Sequence, residues 1–280
     1  MNPAPAHSKT TSTQRPRRSP VRIAISTLLW AVTACVVVIM AARFAPSALS
    51  NGRLIPEAAA FIPWLALLSV LVLIIATLTR RKVLSAVLCL VCQIVWHVGF
   101  FLPAPRIAEE AVEAVPEQTT PRDTVMRVMT LNTKNGNADA EQIVSIVRDQ
   151  HVEVLAMQEV SGSLIERLSA AGLDELLPSR VIGLAGAGDN GGVNVIYTLA
   201  PMRNASESIL PLTGPACTIT AGSHEVRLVS AHPTSPKTGT LGFWNESLTN
   251  LGTLRRYSDE YLIMGDFNST WDHSRYRKML

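Results

Sequence analysis

Three long apolar runs near the N-terminus constrain this chain more than any other feature. They span Ile23–Ala42, Phe61–Leu78 and Val83–Leu102, and almost no charge falls inside them. Each is about long enough to cross roughly 30 Å of hydrocarbon as a helix. One such run alone fits a buried core helix, and the first alone fits a cleavable signal peptide. Three within about eighty residues favour a membrane over a soluble core. Met40-Ala-Ala-Arg-Phe44 is also a poor small-x-small cleavage site. The expectation is a transmembrane region of three helices over residues 21–102. It accounts for a hydrophobic share of 48% and a mean hydropathy of +0.23, both high for a soluble protein.

Basic residues set the expected orientation. Lys9, Arg15, Arg17, Arg18 and Arg22 precede the first run, and Arg80, Arg81 and Lys82 fill the turn between the second and third. The loop between the first two runs offers only Arg43 and Arg53, with Glu57 beside them. The positive-inside rule puts the N-terminus and the Arg80–Lys82 turn in the cytoplasm. Three crossings then leave everything after Leu102 outside, giving a multi-pass protein of the cell membrane with an extracytoplasmic C-terminal domain. The net charge of +3 mostly reflects these topogenic residues, so it does not argue for nucleic acid. Residues 1–20, rich in Pro, Ser, Thr and Arg, read as a disordered cytoplasmic tail, and residues 103–123 as an extended linker.

Cys35, Cys89 and Cys92 lie in apolar runs, leaving Cys217 alone beyond them. Cys89-Leu-Val-Cys92 has C-x-x-C spacing but lacks the soluble setting and partners of a redox or zinc motif. Gln93 and His97, one turn apart, are expected to hydrogen-bond between helices.

From Thr124 the pattern is that of a packed α/β domain running to residue 280. Val125–Leu131 reads as a strand ending at Asn132. Asp139 can cap a helix with Ile143, Ile146 and Val147 on one face. Val152–Met157 is the next strand and runs into Gln158-Glu159, after which Ser161 or Ser163 opens another helix. Gly192–Thr198 is a strand. Thr218–Ala221 and Glu225–Ala231 form a hairpin around Gly222-Ser223. Leu241–Tyr257 is helical, and Tyr261–Gly265 is a last strand. Gly186-Ala-Gly-Asp-Asn-Gly191 satisfies G-x-G-x-x-G literally, but a β-rich run follows it where a dinucleotide site needs a helix.

Four strands thus deliver polar residues at their C-terminal ends: Asn132, Glu159, His232, and the pair Asp266 and Asn268. Singly each has a plain alternative as a turn residue, a solvated carboxylate or a loop start. In an extended segment Asp266 and Asn268 point the same way. The carboxylate could then orient or deprotonate a water while the amide donates to developing charge. Glu159 follows an apolar strand, where its charge is costly unless paired or bound to a metal. An all-oxygen set of Glu, Asn and Asp suits Mg²⁺ or Mn²⁺ and not zinc.

In order and spacing these residues resemble the endonuclease/exonuclease/phosphatase superfamily, whose fold is that of pancreatic deoxyribonuclease. The matching stretches are Val128-Met-Thr-Leu-Asn132, Leu155-Ala-Met-Gln-Glu159, Val229-Ser-Ala-His232 and Met264-Gly-Asp-Phe-Asn268, with Gly192–Tyr197 like the family's central strand. The layout also looks like a membrane-anchored branch with three N-terminal helices. The resemblance implies a four-layer α/β sandwich (α+β) and a metal-dependent phosphoester or phosphodiester hydrolase. Glu159 would hold Mg²⁺ (or Mn²⁺) with Asn132, and His232 would contact the scissile phosphate. Asp266 would activate the water, and Asn268 would support the transition state. Nucleic acid, a lipid headgroup and a small phosphoester all stay open as substrates.

The family's terminal Asp-His pair has no counterpart after Asn268 at the expected distance. Asp272-His273 is a literal Asp-His, but it follows too closely. The expectation is therefore a domain incomplete at its C-terminus, and the alternative function a catalytically impaired membrane protein that binds metal or phosphate at most.

Overall fold

The computed structural model describes residues 19–79, 83–101, 126–185, 192–211, 213–257 and 260–280. The tail up to Arg18, the Arg80–Lys82 turn, the 103–123 linker and the Gly186–Gly191 loop lie outside the described residues. The chain divides into two compact units, one of Met1–Val38 with Leu65–Val95, the other of Ile39–Trp64 with Trp96–Leu280.

The apolar N-terminal part forms helices α1 (Pro20–Ala42), α2 (Leu54–Ala60), α3 (Leu65–Leu78) and α4 (Val83–Phe101). In the first unit Thr33 Oγ1 lies 3.0 Å from Ser85 Oγ, a polar contact between otherwise apolar helices. Among the described residues, α1 alone is long and apolar enough to cross a membrane by itself, a property it shares with signal sequences and buried core helices. The second expected span is not one straight helix. Leu54–Ala60 and Ile62–Leu78 meet at a bend of 45°, and Leu84–Trp96 within α4 is a shorter apolar helix. The break has a local cause: Ile62–Trp64 is a 3₁₀ turn containing Pro63, which has no N–H to continue the ladder. Among the described residues one span is shown, or two if the bent pair counts as one, where the sequence leads one to expect three.

The second unit holds two four-stranded sheets. One has the order β1-β2-β4-β3, from Val128–Asn132, Val154–Val160, Val193–Thr198 and Ser179–Ile182 respectively. The other runs β5 (Arg203–Ser206), β6 (Ala216–Ala221), β7 (His224–Ala231), β8 (Glu260–Gly265) in sequence order. The two-residue period of a strand sorts their side chains into layers. On β2, Val154 and Ala156 face the other sheet, meeting Cys217, Leu228 and Met264. Leu155 and Met157 face the opposite way, onto helices α5 (Ala140–Asp149) and α6 (Gly162–Ala170) through Val144, Val147, Leu164 and Leu168. The second sheet repeats this logic. Ala216, Val229 and Ala231 pack on Trp244, Leu248 and Leu251 of α8 (Leu241–Thr253), the short α7 being Leu173–Leu176. Met279 of the terminal α9 (Ser274–Met279) joins them. Helix, sheet, sheet, helix is the four-layer sandwich expected of the sequence.

Local signals set the helix starts. The Asp139 carboxylate accepts the Gln142 amide at 3.1 Å, and the Ser161 hydroxyl accepts that of Leu164 at 3.2 Å. On α5 the buried face is Ile143, Val144 and Val147, with Ile146 turned outward. The hairpin around Gly222-Ser223 forms as expected, with Ala221 opposite His224.

Candidate active site

Strand register assembles the site. β1 and β2 are parallel with Asn132 opposite Gln158, and β7 and β8 are parallel with Ala231 opposite Gly265. Their carboxyl ends therefore release Asn132, Glu159, His232 and Asp266 at one end of the sandwich, where open α/β sheets place their ligands. Gly265 makes the last approach possible. Its φ is +149°, and a Cβ there would lie 1.8 Å from the Ala231 carbonyl oxygen. Any larger residue would push Asp266 away from the end of β7.

A bulge aims Glu159. The β2–β4 register shifts between Met157 and Val160, and Glu159 takes a φ of +57°, unusual for a residue with a side chain. Such a conformation costs on the order of 1–3 kcal/mol and persists only where its surroundings enforce it. They do so here. Thr133 Oγ1 donates to the backbone oxygens of Gln158 (2.9 Å) and Glu159 (2.8 Å), and Gly192 passes so close that a Cβ would come within 2.5 Å of the Glu159 carbonyl carbon.

The side chains meet around Asn132. Its Nδ2 donates to Glu159 Oε1 at 2.9 Å and to Asp266 Oδ2 at 3.0 Å, bridging carboxylates from different sheets. Asn135 N–H donates to Glu159 Oε2 at 2.9 Å. His232 Nε2 faces the same two carboxylates at 3.7 and 3.9 Å, too far for a hydrogen bond. That nitrogen is buried without a hydrogen-bond partner. Side-chain exposure rises from 3% for His232 through 13% for Glu159 to 40% for Asp266, so the cluster opens to solvent on the Asp266 side.

Asn268 is placed differently from the sequence expectation. Its backbone turns to a φ of +48° and its N–H donates to Asp266 Oδ1 at 2.9 Å, an Asx turn in which the two side chains do not extend side by side. Asn268 Nδ2 donates to Pro233 O at 2.8 Å, which fixes the loop just after His232. Asp272 and His273 stand apart from the cluster. Asp272 is fully buried against Arg43 Nε (3.3 Å) and Trp96 Nε1 (2.9 Å), while His273 packs edge-on to Trp244 with ring centroids 5.5 Å apart.

Two supporting groups escaped the sequence reading. Gln158 Nε2 donates to Ser230 Oγ at 3.1 Å, a buried polar link between the two sheets directly beneath the cluster. Thr133 locks the Glu159 backbone. Gln158 and Ser230 lie in the matched motifs and Thr133 directly follows one, but their roles depend on contacts between strands and between sheets that spacing along the chain does not carry.

The cluster also offers donors to a divalent cation. Two carboxylates accept from one amide nitrogen, and their oxygens are the donors a hard cation suits, while the buried imidazole nitrogen beside them is left unsatisfied. Asn132 turns Nδ2 toward both carboxylates while Oδ1 accepts the Lys134 amide at 2.9 Å, so ligation through that oxygen beside Glu159 requires the amide to turn over. Among the described residues no group of three or more His, Cys, Asp and Glu is arranged to hold a metal. A site here would draw on Glu159 and Asn132, with one strong charge, and the residues fit a weakly held ion.

The family model described as Endonuclease/Exonuclease/phosphatase family matches residues 129–280, just over half of the chain. No curated protein matches it. Among solved structures it is similar to sphingomyelinase C from Streptomyces griseocarneus, at 16% identity and a TM-score of 0.43 over 55% of this chain and 68% of that one. A variant of beta toxin from Staphylococcus aureus with bound magnesium ions gives 14%, 0.45, 56% and 69% for the same quantities. D. rerio TDP2 complexed with single strand DNA product gives 13%, 0.43, 53% and 62%.

Proposed function

The chain belongs to the endonuclease/exonuclease/phosphatase family, and from that membership we propose that it is a membrane-anchored, metal-dependent hydrolase of phosphoesters or phosphodiesters working outside the cytoplasm. The observation that carries this reading is the convergence of Glu159, Asp266 and His232 on Asn132 at the strand ends of both sheets.

In this reading Glu159, with Asn132, holds Mg²⁺ or Mn²⁺, which when bound supplies positive charge to a phosphoryl oxygen. Asp266, the most exposed member, orients an incoming water and takes its proton. His232 Nε2, unsatisfied in the free protein, donates to a phosphate oxygen. Asn268 holds the His232 loop through Pro233, and its second amide hydrogen is the one left for a substrate oxygen. The anchoring half of the proposal keeps residues 21–102 as the membrane region and residues 124–280 as the catalytic domain. It also keeps the orientation given by the basic residues, which requires an odd number of crossings: α1 alone, or α1 with both later apolar runs.

Two measurements test it. The full chain in detergent should bind Mn²⁺ and hydrolyse bis(4-nitrophenyl) phosphate only with Mg²⁺ or Mn²⁺. Glu159→Gln should remove Mn²⁺ binding, because a hard cation loses its charged ligand; undiminished Mn²⁺ affinity would make Glu159 a surface carboxylate. A reporter fused after Leu280 should work only if it is of the external type, and a working cytoplasmic reporter would reverse the orientation.

A further inference from the structure

Beside the cluster lies a cavity of about 330 Å³ whose walls come from two distant parts of the chain. Asn268 and Thr270 form its polar side. Pro236 and, from the segment between the first two apolar runs, Pro56, Ala60 and Phe61 form its apolar side, with Glu57 of that segment also on the lining and paired to Arg53. That segment lies outside residues 129–280, which carry the family match. Its volume is at the low end for small-molecule sites, and the pairing of an apolar wall with a few polar groups is usual for them.

The apolar wall is held firmly. Arg43 is paired with buried Asp272, and the Arg277 guanidinium also donates to the Arg43 carbonyl. Arg275 donates to Ser47 O at 3.1 Å and to Asn51 Oδ1 at 2.7 Å, and Arg53 Nη1 donates to Thr238 Oγ1 at 2.9 Å. His273 Nδ1 accepts the Thr270 amide at 2.9 Å, which puts the neutral ring's proton on Nε2, beside the Pro56 carbonyl but without a good hydrogen bond. Yet the outward surface of this segment is apolar. Phe44, Leu54, Phe61 and Trp64 are 71%, 79%, 60% and 65% exposed. A small soluble domain has no reason to present so many large apolar side chains in about twenty residues, whereas a segment at a bilayer surface does. Trp64 directly precedes α3, so if α3 enters a membrane, Phe61 and Trp64 lie at its interface by covalent connection alone.

Resting on the hydrolase reading above, we infer that residues Pro56–Phe61 complete the active site and that its substrate is a membrane phospholipid, whose glycerol and first methylenes occupy this cavity while the phosphate reaches Asp266 and His232. Water adds to phosphorus as its proton passes to Asp266, the bond from phosphorus to one ester oxygen breaks, and the departing alkoxide takes a proton from solvent. A water-soluble headgroup fragment separates from the lipid whichever ester bond is cut. A nucleic acid strand would find no use for the apolar wall, and a small soluble phosphoester would not need it.

The test uses the full chain in nanodiscs with Mg²⁺ and three substrates: headgroup-labelled phosphatidylcholine–phosphatidylglycerol vesicles, bis(4-nitrophenyl) phosphate, and a single-stranded oligonucleotide. The readout is the ratio of kcat/KM on lipid to kcat/KM on the soluble ester. Phe61→Asp should lower that ratio at least tenfold by raising the apparent KM for lipid. Ala60→Trp, which fills the cavity without adding charge, should lower it as well, and both positions are exposed enough to leave folding intact. An unchanged ratio in both variants overturns the inference. So does a wild-type chain that cuts only the soluble ester or the oligonucleotide and loses that activity in Asp266→Ala, and in that case the hydrolase reading survives. Hydrolysis of none of the three defeats both.

Discussion

Two clusters in this molecule pair an aspartate with a histidine, and they are built to opposite ends. In the first, His232 faces Glu159 and Asp266 at 3.7 and 3.9 Å, its Nε2 has no partner, and Asp266 is 40% exposed. In the second, Asp272 and His273 are adjacent in sequence and buried, with Asp272 locked to Arg43 and Trp96. Groups open to solvent are free to engage a substrate, whereas enclosed and ion-paired ones hold chain segments together. The residue types are the same. Each histidine leaves its Nε2 without a hydrogen bond, so solvent access on the Asp266 side and the Arg43–Asp272 ion pair are what separate chemistry from scaffolding.

The sharpest way to break this contrast is to disable each cluster in turn. Asp266→Ala should lower hydrolysis about 10²–10⁴-fold, the usual loss for a general base, with little change in thermal unfolding. Asp272→Ala should do the reverse. It strands the Arg43 guanidinium, whose side chain is only 12% exposed, and breaking such a buried pair costs about 3–5 kcal/mol. Thermal unfolding of the two variants side by side is the measurement. A stable Asp272→Ala protein with strongly reduced turnover would move that pair into the catalytic cluster.

A third variant probes what lies under the open cluster. Ser230→Ala removes the inter-sheet acceptor of Gln158 Nε2, leaving Thr130 Oγ1 at 3.3 Å as a weaker partner. A cost of about 1–3 kcal/mol is expected from this half-satisfied buried amide. Denaturant unfolding would measure it, and no loss of stability would mean that the link is not a support for the cluster.

Much of this was legible in the sequence, for a physical reason. β1, β2, β7 and β8 are apolar runs that end at a polar residue, and a parallel pair of such runs must bring those residues to the same edge. Asn132, Glu159, His232 and Asp266 could therefore be placed before their contacts were known. Short edge strands could not. Ser179–Ile182 and Arg203–Ser206 have four residues each and no apolar run, and only pairing with β4 and β6 makes them strands. Past Gly265 strand alternation gives way to an Asx turn that sets Asn268 against the Pro233 carbonyl, a local geometry that alternation does not carry. The bend at Pro63 shows a different failure: average hydropathy over Phe61–Leu78 hides a residue that ends the helix ladder.

The smallest expected effect is one of pH, and it sharpens the contrast at His273. Burial pushes this imidazole below its ordinary 6.5, a fall that the Thr270 and Pro56 backbone and the Asp272 charge oppose and the Arg277 charge reinforces. The folded protein thus holds His273 neutral where the unfolded chain would already bind a proton. Because the unfolded state binds more protons in that window, stability rises with pH there. The contribution is complete above 6.5 and drains away as pH falls below it toward the folded value. His273→Gln has no such titration, so the stability advantage of wild type over this variant should shrink as pH drops from 7.5 to about 5.5. Thermal unfolding of both proteins across that range reads the difference directly. An advantage that grows on acidification would mean that His273 is held as a cation, and its ring would then belong with the open, charge-handling cluster and not with the scaffold.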